Sequence, residues 1–249
     1  MTILAAFYKT ISDSPNPNLT QDFDYVSALS SLEKTFKKFN PKGKFILATD
    51  MVTDIKVEAD KVFRTELNSY NLMESLVLSN LDLVKQFNGK IILCGADHLI
   101  TGNLDNFFTE NFDIGILWSG GSVNNTVVLV NTELGNKEKI VSFFQERTNA
   151  FYELTLLEKS WGGDQISIQS ILGTKYQIPN LPPGRSTLHE SCGLKFKFFN
   201  YSEEFVFGVK KSSAGYNKTA IFLDFKGNSR KRWFSTIAQE ILKGVIWVR

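Results

Sequence analysis

Apolar residues in this chain fall into two alternating patterns, short unbroken runs and longer stretches in which they recur every three or four positions. Unbroken runs bounded by turn residues are the mark of strands covered on both faces, and the wider spacing is that of one helix face. Ile3 to Tyr8 predicts a first strand, and Asp13-Ser14-Pro15-Asn16-Pro17-Asn18 predicts a loop through its turn residues. From Asp24 to Phe39 the positions Val26, Leu29, Leu32, Phe36 and Phe39 keep helical spacing, with Asp22 or Asp24 as the cap and lysines near the end, where they complement the helix dipole. Phe45 to Asp50 predicts a second strand, Tyr70 to Phe87 a second helix broken at Asn88-Gly89, and Ile91 to Cys94 a third strand.

Downstream, a short helix is expected within Gly102 to Phe108 and a strand over Asp113 to Trp118. A Gly-rich loop, Trp118 to Asn125, then precedes a β-branched strand, Thr126 to Asn131, and a helix over Lys137 to Phe151. Gly162-Gly163-Asp164-Gln165 opens a helix over Ile166 to Leu172, with Asp164 placed to cap it, and residues 180–249 read as a smaller tail of strands and loops packed on the main sheet. Strand and helix alternate, which predicts an α/β fold with a mixed, mostly parallel sheet flanked by helices and joined by right-handed crossovers. The order of the strands is left undetermined.

Composition adds that the chain, with 249 residues of which 43% are hydrophobic and 13% aromatic, has the material for one substantial core. A single domain over 1–249 is expected. No segment reaches the ~18–20 uninterrupted apolar residues of a membrane span, and Met1 to Tyr8 lacks the basic region of a secretory signal. Cys94 and Cys192 form no C-x-x-C pair, so neither a zinc ribbon nor a disulfide framework is indicated, and a reducing, cytoplasmic setting is expected. The net charge of +2 conceals an asymmetry: residues 180–249 carry 12 Lys and Arg against 5 Asp and Glu, and the rest carries 16 against 21. A basic end suits an anionic partner such as a diphosphate, a membrane surface touched from its periphery, or a nucleic acid.

The chemistry centres on Ile91-Ile92-Leu93-Cys94-Gly95-Ala96-Asp97, an aliphatic run that delivers a carboxylate near its end. Strand ends of open α/β sheets are where ligands bind, and an ionised Asp in such surroundings needs a metal, a cation or donors. A cap for the following turn is the competing role for Asp97. The chain has no Gly-Lys-Ser/Thr phosphate loop, no three-glycine dinucleotide fingerprint, no His-Glu-x-x-His and no nucleophile elbow. With only His98 and His189, both weak candidates, the chemistry narrows to carboxylates, hydroxyls and a hard metal.

In its order of segments the chain resembles small glycosyltransferases of the GT-A, Rossmann-like fold, in layout those of the glycogenin-like and bacterial lipopolysaccharide galactosyltransferase-like family. The resemblance runs from Ile3 to about Trp233, with a nucleotide-binding part over about 1–110 and an acceptor and closing part over about 111–249. The family's metal-binding Asp-x-Asp corresponds to Gly95-Ala96-Asp97, so the first Asp is glycine here. Leu99 to Phe108 resembles the family continuation, and Val123 to Asn131, with Asn124, resembles its strand around the sugar pocket. Trp161-Gly162-Gly163-Asp164-Gln165 resembles the Gly-Asp-Gln segment that brings a carboxylate and an amide to the donor sugar, and Asp164 and Gln165 become the expected catalytic pair. The closing His-Phe-x-Gly-x-x-Lys-x-Trp segment corresponds to Asp224-Phe225-Lys226-Gly227 and Lys231-Arg232-Trp233, with Asp224 where the family has its metal-binding His.

This resemblance implies transfer of a sugar from a nucleotide-sugar donor, a UDP-sugar foremost, to a glycan, a lipid-linked sugar or DNA. It implies Mn²⁺ or Mg²⁺ on Asp97 and Asp224, with Lys226, Gly227 and Lys231 at the diphosphate. The two departures at the metal leave open a metal-free route using Lys226 and the Arg230-Lys231-Arg232 cluster. Retention of configuration and an inverting attack with Asp164 as base also both stay open. Phe7 and Tyr8 are placed to stack on the base and Asp50 to accept a bond from base or ribose, with core packing the competing role for Phe7. Arg64 and Asn68 or Ser69 lie where the family reaches the nucleotide and sugar. A sugar-nucleotide pyrophosphorylase needs a Gly-rich, Arg-containing loop after the first strand, which Lys9 to Pro15 does not supply. The other reading is a binding module for nucleic acid or anionic glycan on a decayed transferase fold.

Overall fold

The structure is a computed structural model that describes residues 1–9, 23–66, 71–119, 121–160, 162–178, 186–200, 206–208, 220–225 and 231–244. Its strands are β1 (Thr2–Phe7), β2 (Lys44–Thr49), β3 (Lys61–Arg64), β4 (Lys90–Cys94), β5 (His98–Ile100), β6 (Ile114–Ser119), β7 (Ser122–Asn131), β8 (Thr187–Ser191), β9 (Leu194–Asn200), β10 (Val206–Gly208) and β11 (Phe222–Asp224). Its helices are α1 (Tyr25–Phe39), α2 (Leu72–Gln86), α3 (Lys137–Tyr152), α4 (Leu156–Ser160), α5 (Gly163–Thr174) and α6 (Phe234–Lys243), with a 3-10 turn at Leu104–Phe108. Eight strands form one sheet in the order β3-β2-β1-β4-β7-β6-β9-β8, and β10-β11-β5 form a second.

β3, β2, β1 and β4 are parallel, so the carboxyl ends of β1, β2 and β4 share one edge of the sheet. β7 runs antiparallel to β4, which brings its amino-terminal half to that same edge. The unbroken apolar character of β1 and β4 has a direct cause. Ile3, Ala5, Phe7, Ile91 and Leu93 bury into the core shared with α2, α3 and α5, while Leu4, Ala6, Ile92 and Cys94 bury into the opposite core with α1. Asp24 caps α1 by accepting from Ser27 N at 3.0 Å, and Asn71 caps α2 through Met73 N and Glu74 N.

Several expectations are corrected. Val123 to Asn125, expected in a loop, already belong to β7, which pairs antiparallel with β6 as far as Ser119 and Ser122. Where a smaller tail packed on the main sheet is expected, the described residues place β9 within that sheet beside β6, pair β11 with β5, and pack α6 on α1. β3, β5, α4 and α6 had no distinct signal in the sequence, being short or lying in mixed polar surroundings. The expected loop at 13–18 lies outside the described residues. Among the described residues no helix is long and apolar enough to cross a membrane.

Candidate functional site

Beyond β4 the chain passes Gly95 and Ala96 and returns as β5, so Asp97 stands in the bend between two strands. β11 pairs with β5 in antiparallel register, Asp224 opposite His98 and Phe222 opposite Ile100. Phe225 N donates to Asp97 O at 3.1 Å and Thr101 N to Ile221 O at 3.0 Å, which sews the two segments together on both sides of the pair. As a result the ligand atoms of Asp97, His98 and Asp224 all lie within 4.8 Å of one another. The side chains of His98 and Asp224 are 2% exposed, whereas that of Asp97 is 23% exposed and is the one that reaches outward.

His98 Nδ1 lies 3.1 Å from Gly95 O, and with the proton there the lone pair of Nε2 faces Asp224 Oδ1 at 3.6 Å. Nε2 is buried and has no hydrogen-bond partner among the described residues. An imine lone pair and a carboxylate in that arrangement repel unless a cation lies between them. Two carboxylate oxygens and one imidazole nitrogen form a donor set suited to Mn²⁺, and Mg²⁺ fits the carboxylates. The site thus fits the divalent ion expected at Asp97 and Asp224, and it adds His98, which the sequence offered only as a weak candidate. Beneath it the Cys94 thiol is pushed up, first by burial and then by the Asp97 charge, so it stays a neutral thiol.

Lys231 enters the same site from the segment before α6. Its Nζ lies 3.5 Å from Asp97 Oδ2, donates to the Tyr25 hydroxyl, and sits 5.0 Å and 4.5 Å from the ring centres of Phe23 and Tyr25. Tyr8, half-buried at the end of β1, stacks on Tyr25 with ring centres 6.4 Å apart. Burial raises the Tyr25 hydroxyl above its ordinary value against the pull of Lys231, so it remains the acceptor of that bond.

Asp164 is linked to the Asp97, His98, Asp224 group through β7. Gly162 opens α5 in the left-handed conformation, with φ 78°, and a Cβ on Gly163 would come within 2.8 Å of the Phe151 ring and 2.9 Å of Glu158 O. Gly162 thus supplies the turn into α5, and Gly163 seats its first turn tightly on Phe151 of α3 and Glu158 of α4. Asp164 is not the expected cap: no side chain caps α5, and Asp164 Oδ2 instead accepts from Asn125 Nδ2 at 2.6 Å. Asn125 is available because β7 is bulged there. Ile116 of β6 pairs with Val128, but the next residue, Leu117, pairs with Asn124, and the residues between leave that ladder. Thr126 in the same bulge donates to Asn124 Oδ1 at 2.5 Å and its hydroxyl stands 3.5 Å from Asp224 Oδ2. The bulge therefore bridges the Asp97, His98, Asp224 group to Asp164.

The remaining expected residues are placed as follows. Phe7 is buried in the core, 6% exposed. Asp50 Oδ1 accepts from Val52 N at 3.1 Å and Thr53 N at 2.6 Å, and Arg64 donates to Asp50 O and Thr53 O at 2.8 and 3.1 Å, so both hold the turn after β2. Gln165 lies in the first turn of α5 beside Asp164. His189 lies on the edge strand β8 against Phe198. Asn68, Ser69, Trp161, Lys226, Gly227 and Arg230 lie outside the described residues.

No protein-family model and no curated protein sequence matches the chain. In structure it is similar to solved glycosyltransferases. The apo form of glycosyltransferase GlyE from Streptococcus pneumoniae TIGR4 matches with a TM-score of 0.55 and 13% identity over 99% of this chain and 64% of its own. A second structure of GlyE gives 0.54 at 13% identity. A glycosyltransferase involved in glycosylation of the major capsid of PBCV-1 gives 0.52 at 12% identity, over 96% of this chain and 98% of its own. The chain thus spans less than two thirds of GlyE and almost the whole of the PBCV-1 enzyme. The fold is one that these glycosyltransferases share, and the expectation of a mixed, mostly parallel α/β sheet flanked by helices holds.

Proposed function

We propose that the protein is a glycosyltransferase that takes a sugar from a nucleoside diphosphate donor, a UDP-sugar foremost, with Mn²⁺ or Mg²⁺ held by Asp97, His98 and Asp224. The observation that carries this reading is the convergence of those three groups with Lys231 at the strand-end edge of a glycosyltransferase-type sheet. When bound, the metal neutralises charge on the departing diphosphate. Lys231 adds a fixed positive charge at the same place, and Tyr25 and the flanking rings hold it there without solvent reorganisation. Tyr8 and Tyr25 offer a stacking face for the base. Asn125 and the first turn of α5 hold the Asp164 carboxylate toward the donor sugar, with Gln165 beside it. The Trp161-Gly162-Gly163-Asp164-Gln165 motif supports the glycogenin-like layout within this fold. The exchange of Asp for Gly95 and of His for Asp224, with His98 inserted beside Asp97, supports a rearranged donor set rather than a lost one.

The test is thermal stability with UDP, GDP, ADP and their sugars, each with Mn²⁺, Mg²⁺ or chelator. A ligand at ~100 times its Kd adds ~2.7 kcal/mol to the folded state. The expected result is a shift for one nucleotide that vanishes with chelator and in Asp97→Ala. No shift with any nucleotide, together with steeply salt-dependent binding of an anionic polymer, would replace the transferase by a binding module.

A further inference from the structure

We propose that Arg147 is a positioning residue for the Asp164 carboxylate, a buried cation that acts on the donor sugar only through Asp164. The inference rests on the transferase reading above. Arg147 lies on the buried stripe of α3 formed by Ile140, Phe144 and Phe151 and is 0% exposed. Packing alone is served by an aliphatic side chain at such a position, because taking an unpaired charge out of water is costly. Its Nη2 donates to the Asp164 main-chain oxygen at 3.4 Å, the oxygen that also accepts from Ser167 Oγ at 3.1 Å. Its Nε and Nη1 have no hydrogen-bond partner among the described residues, and neither do Asp164 Oδ1 and Asn125 Oδ1. Burial pulls the guanidinium down to about 10 and the Asp164 carboxylate opposes that fall, so the cation persists at neutral pH.

The arrangement differs from a salt bridge in a useful way. A direct side-chain pair would occupy the carboxylate. Here the cation grips the backbone of the first turn of α5 and stands behind the carboxylate, while Asn125 donates to Oδ2 and Oδ1 is buried without a hydrogen-bond partner among the described residues. With only 5% of Asp164 exposed, a buried cation behind its backbone offsets part of the cost of burying the carboxylate.

The experiment compares Arg147→Met, Arg147→Lys, Asp164→Asn and the Arg147→Met/Asp164→Asn double variant in the full chain. The readouts are melting temperature and nucleotide release from UDP-glucose, UDP-galactose, UDP-N-acetylglucosamine and GDP-mannose with Mn²⁺. Arg147→Met is expected to melt below wild type and, at a temperature where it is folded, to keep the donor KM within twofold and to lose ten- to a hundredfold in kcat. Arg147→Lys is expected to recover part of that loss, and the double variant to be no slower than Asp164→Asn alone. Full kcat in Arg147→Met, a change in KM alone, or losses that multiply in the double variant would overturn the inference while the transferase stands. If Arg147→Met does not fold, Arg147→Lys with and without Asp164→Asn makes the same comparison. A wild type that releases nucleotide from none of the four donors overturns the transferase reading and this inference with it.

Discussion

Asp224 and His98 occupy opposite positions of the β11–β5 ladder, and Asp224 Oδ1 stands 3.6 Å from His98 Nε2 with both side chains 2% exposed. The pair is held by register and not by a hydrogen bond, since 3.6 Å is beyond hydrogen-bonding distance, and an imidazole with its one proton on Nδ1, toward Gly95 O, turns a lone pair to the carboxylate. Neutralising the carboxylate therefore removes a repulsion in the metal-free protein and a ligand in the loaded one. Asp224→Asn is expected to melt at or above the wild-type temperature without metal, and to bind Mn²⁺ at least about tenfold more weakly. Titration of Mn²⁺ by calorimetry, paired with melting curves, checks both. Unchanged Mn²⁺ binding with lower stability would reduce the pair to a structural contact.

Lys231 bears on the other half of the site. It is 8% exposed, donates to Tyr25 and sits 3.5 Å from Asp97 Oδ2, so its charge is fixed beside the outward-reaching carboxylate. A charge-assisted hydrogen bond to a diphosphate oxygen is worth about 1.5–3 kcal/mol. Lys231→Ala should weaken UDP binding in the presence of Mn²⁺ by ten- to a hundredfold and flatten its salt dependence. Fluorescence titration at two salt concentrations measures both, and wild-type affinity in the variant would place the diphosphate away from Lys231.

The parts of the fold that were legible in the sequence are those whose burial is set locally. β1, β2 and β4 show as unbroken apolar runs because helices cover both faces, and α1 shows through its stripe and its Asp24 cap. β5 and β11 did not show, since each is three residues long and its strand character comes from pairing with distant segments, β5 with β11 and β11 with β5 and β10. His98 carries little local signal for the same reason: its partner is 126 positions away and the pairing register, not the local sequence, brings them together. Asn125 was hidden by a bulge, where alternation predicts the wrong face for a side chain. Arg147 did leave a signal, a single charge on the apolar stripe of Ile140, Phe144 and Phe151, which reads as a long-range partner once helical spacing is taken strictly.

Gly102 tests whether the second sheet sets the geometry of the site. A Cβ there would come within 2.4 Å of Ile221 Cγ2 and 3.0 Å of its Cβ, one residue before β11 begins. Ile221 is β-branched and cannot swing aside cheaply, so Gly102→Ala should push β11 away from β5 at a cost of about 1–3 kcal/mol. Mn²⁺ binding should weaken with it, because Asp224 moves with β11. Ile221→Ala in the same chain should restore most of both losses, as read by urea unfolding and Mn²⁺ titration. A Gly102→Ala protein with wild-type stability would show that the two segments give way without consequence.

Asp50 provides a prediction in pH. Burial works against its charge, but hydrogen bonds from Thr53 and Val52, with Lys9 nearby, outweigh it and hold the carboxyl below its ordinary value of 3.8. A carboxyl with a depressed pKa in the folded chain stabilises that state above the ordinary pKa, and the contribution fades as the pH falls through the lower folded value. Asp50→Asn lacks this titration and should be less stable than wild type by about 1 kcal/mol at pH 7, the difference between charged and neutral hydrogen bonds. The gap should persist down to about pH 5 and narrow once the pH falls below the ordinary value of 3.8 toward the lower folded one. Urea unfolding of both proteins at pH 7, 5 and 3.5 measures it. A gap that stays constant over that range would assign the loss to the shape of the turn after β2, which Arg64 also ties, and not to the Asp50 charge.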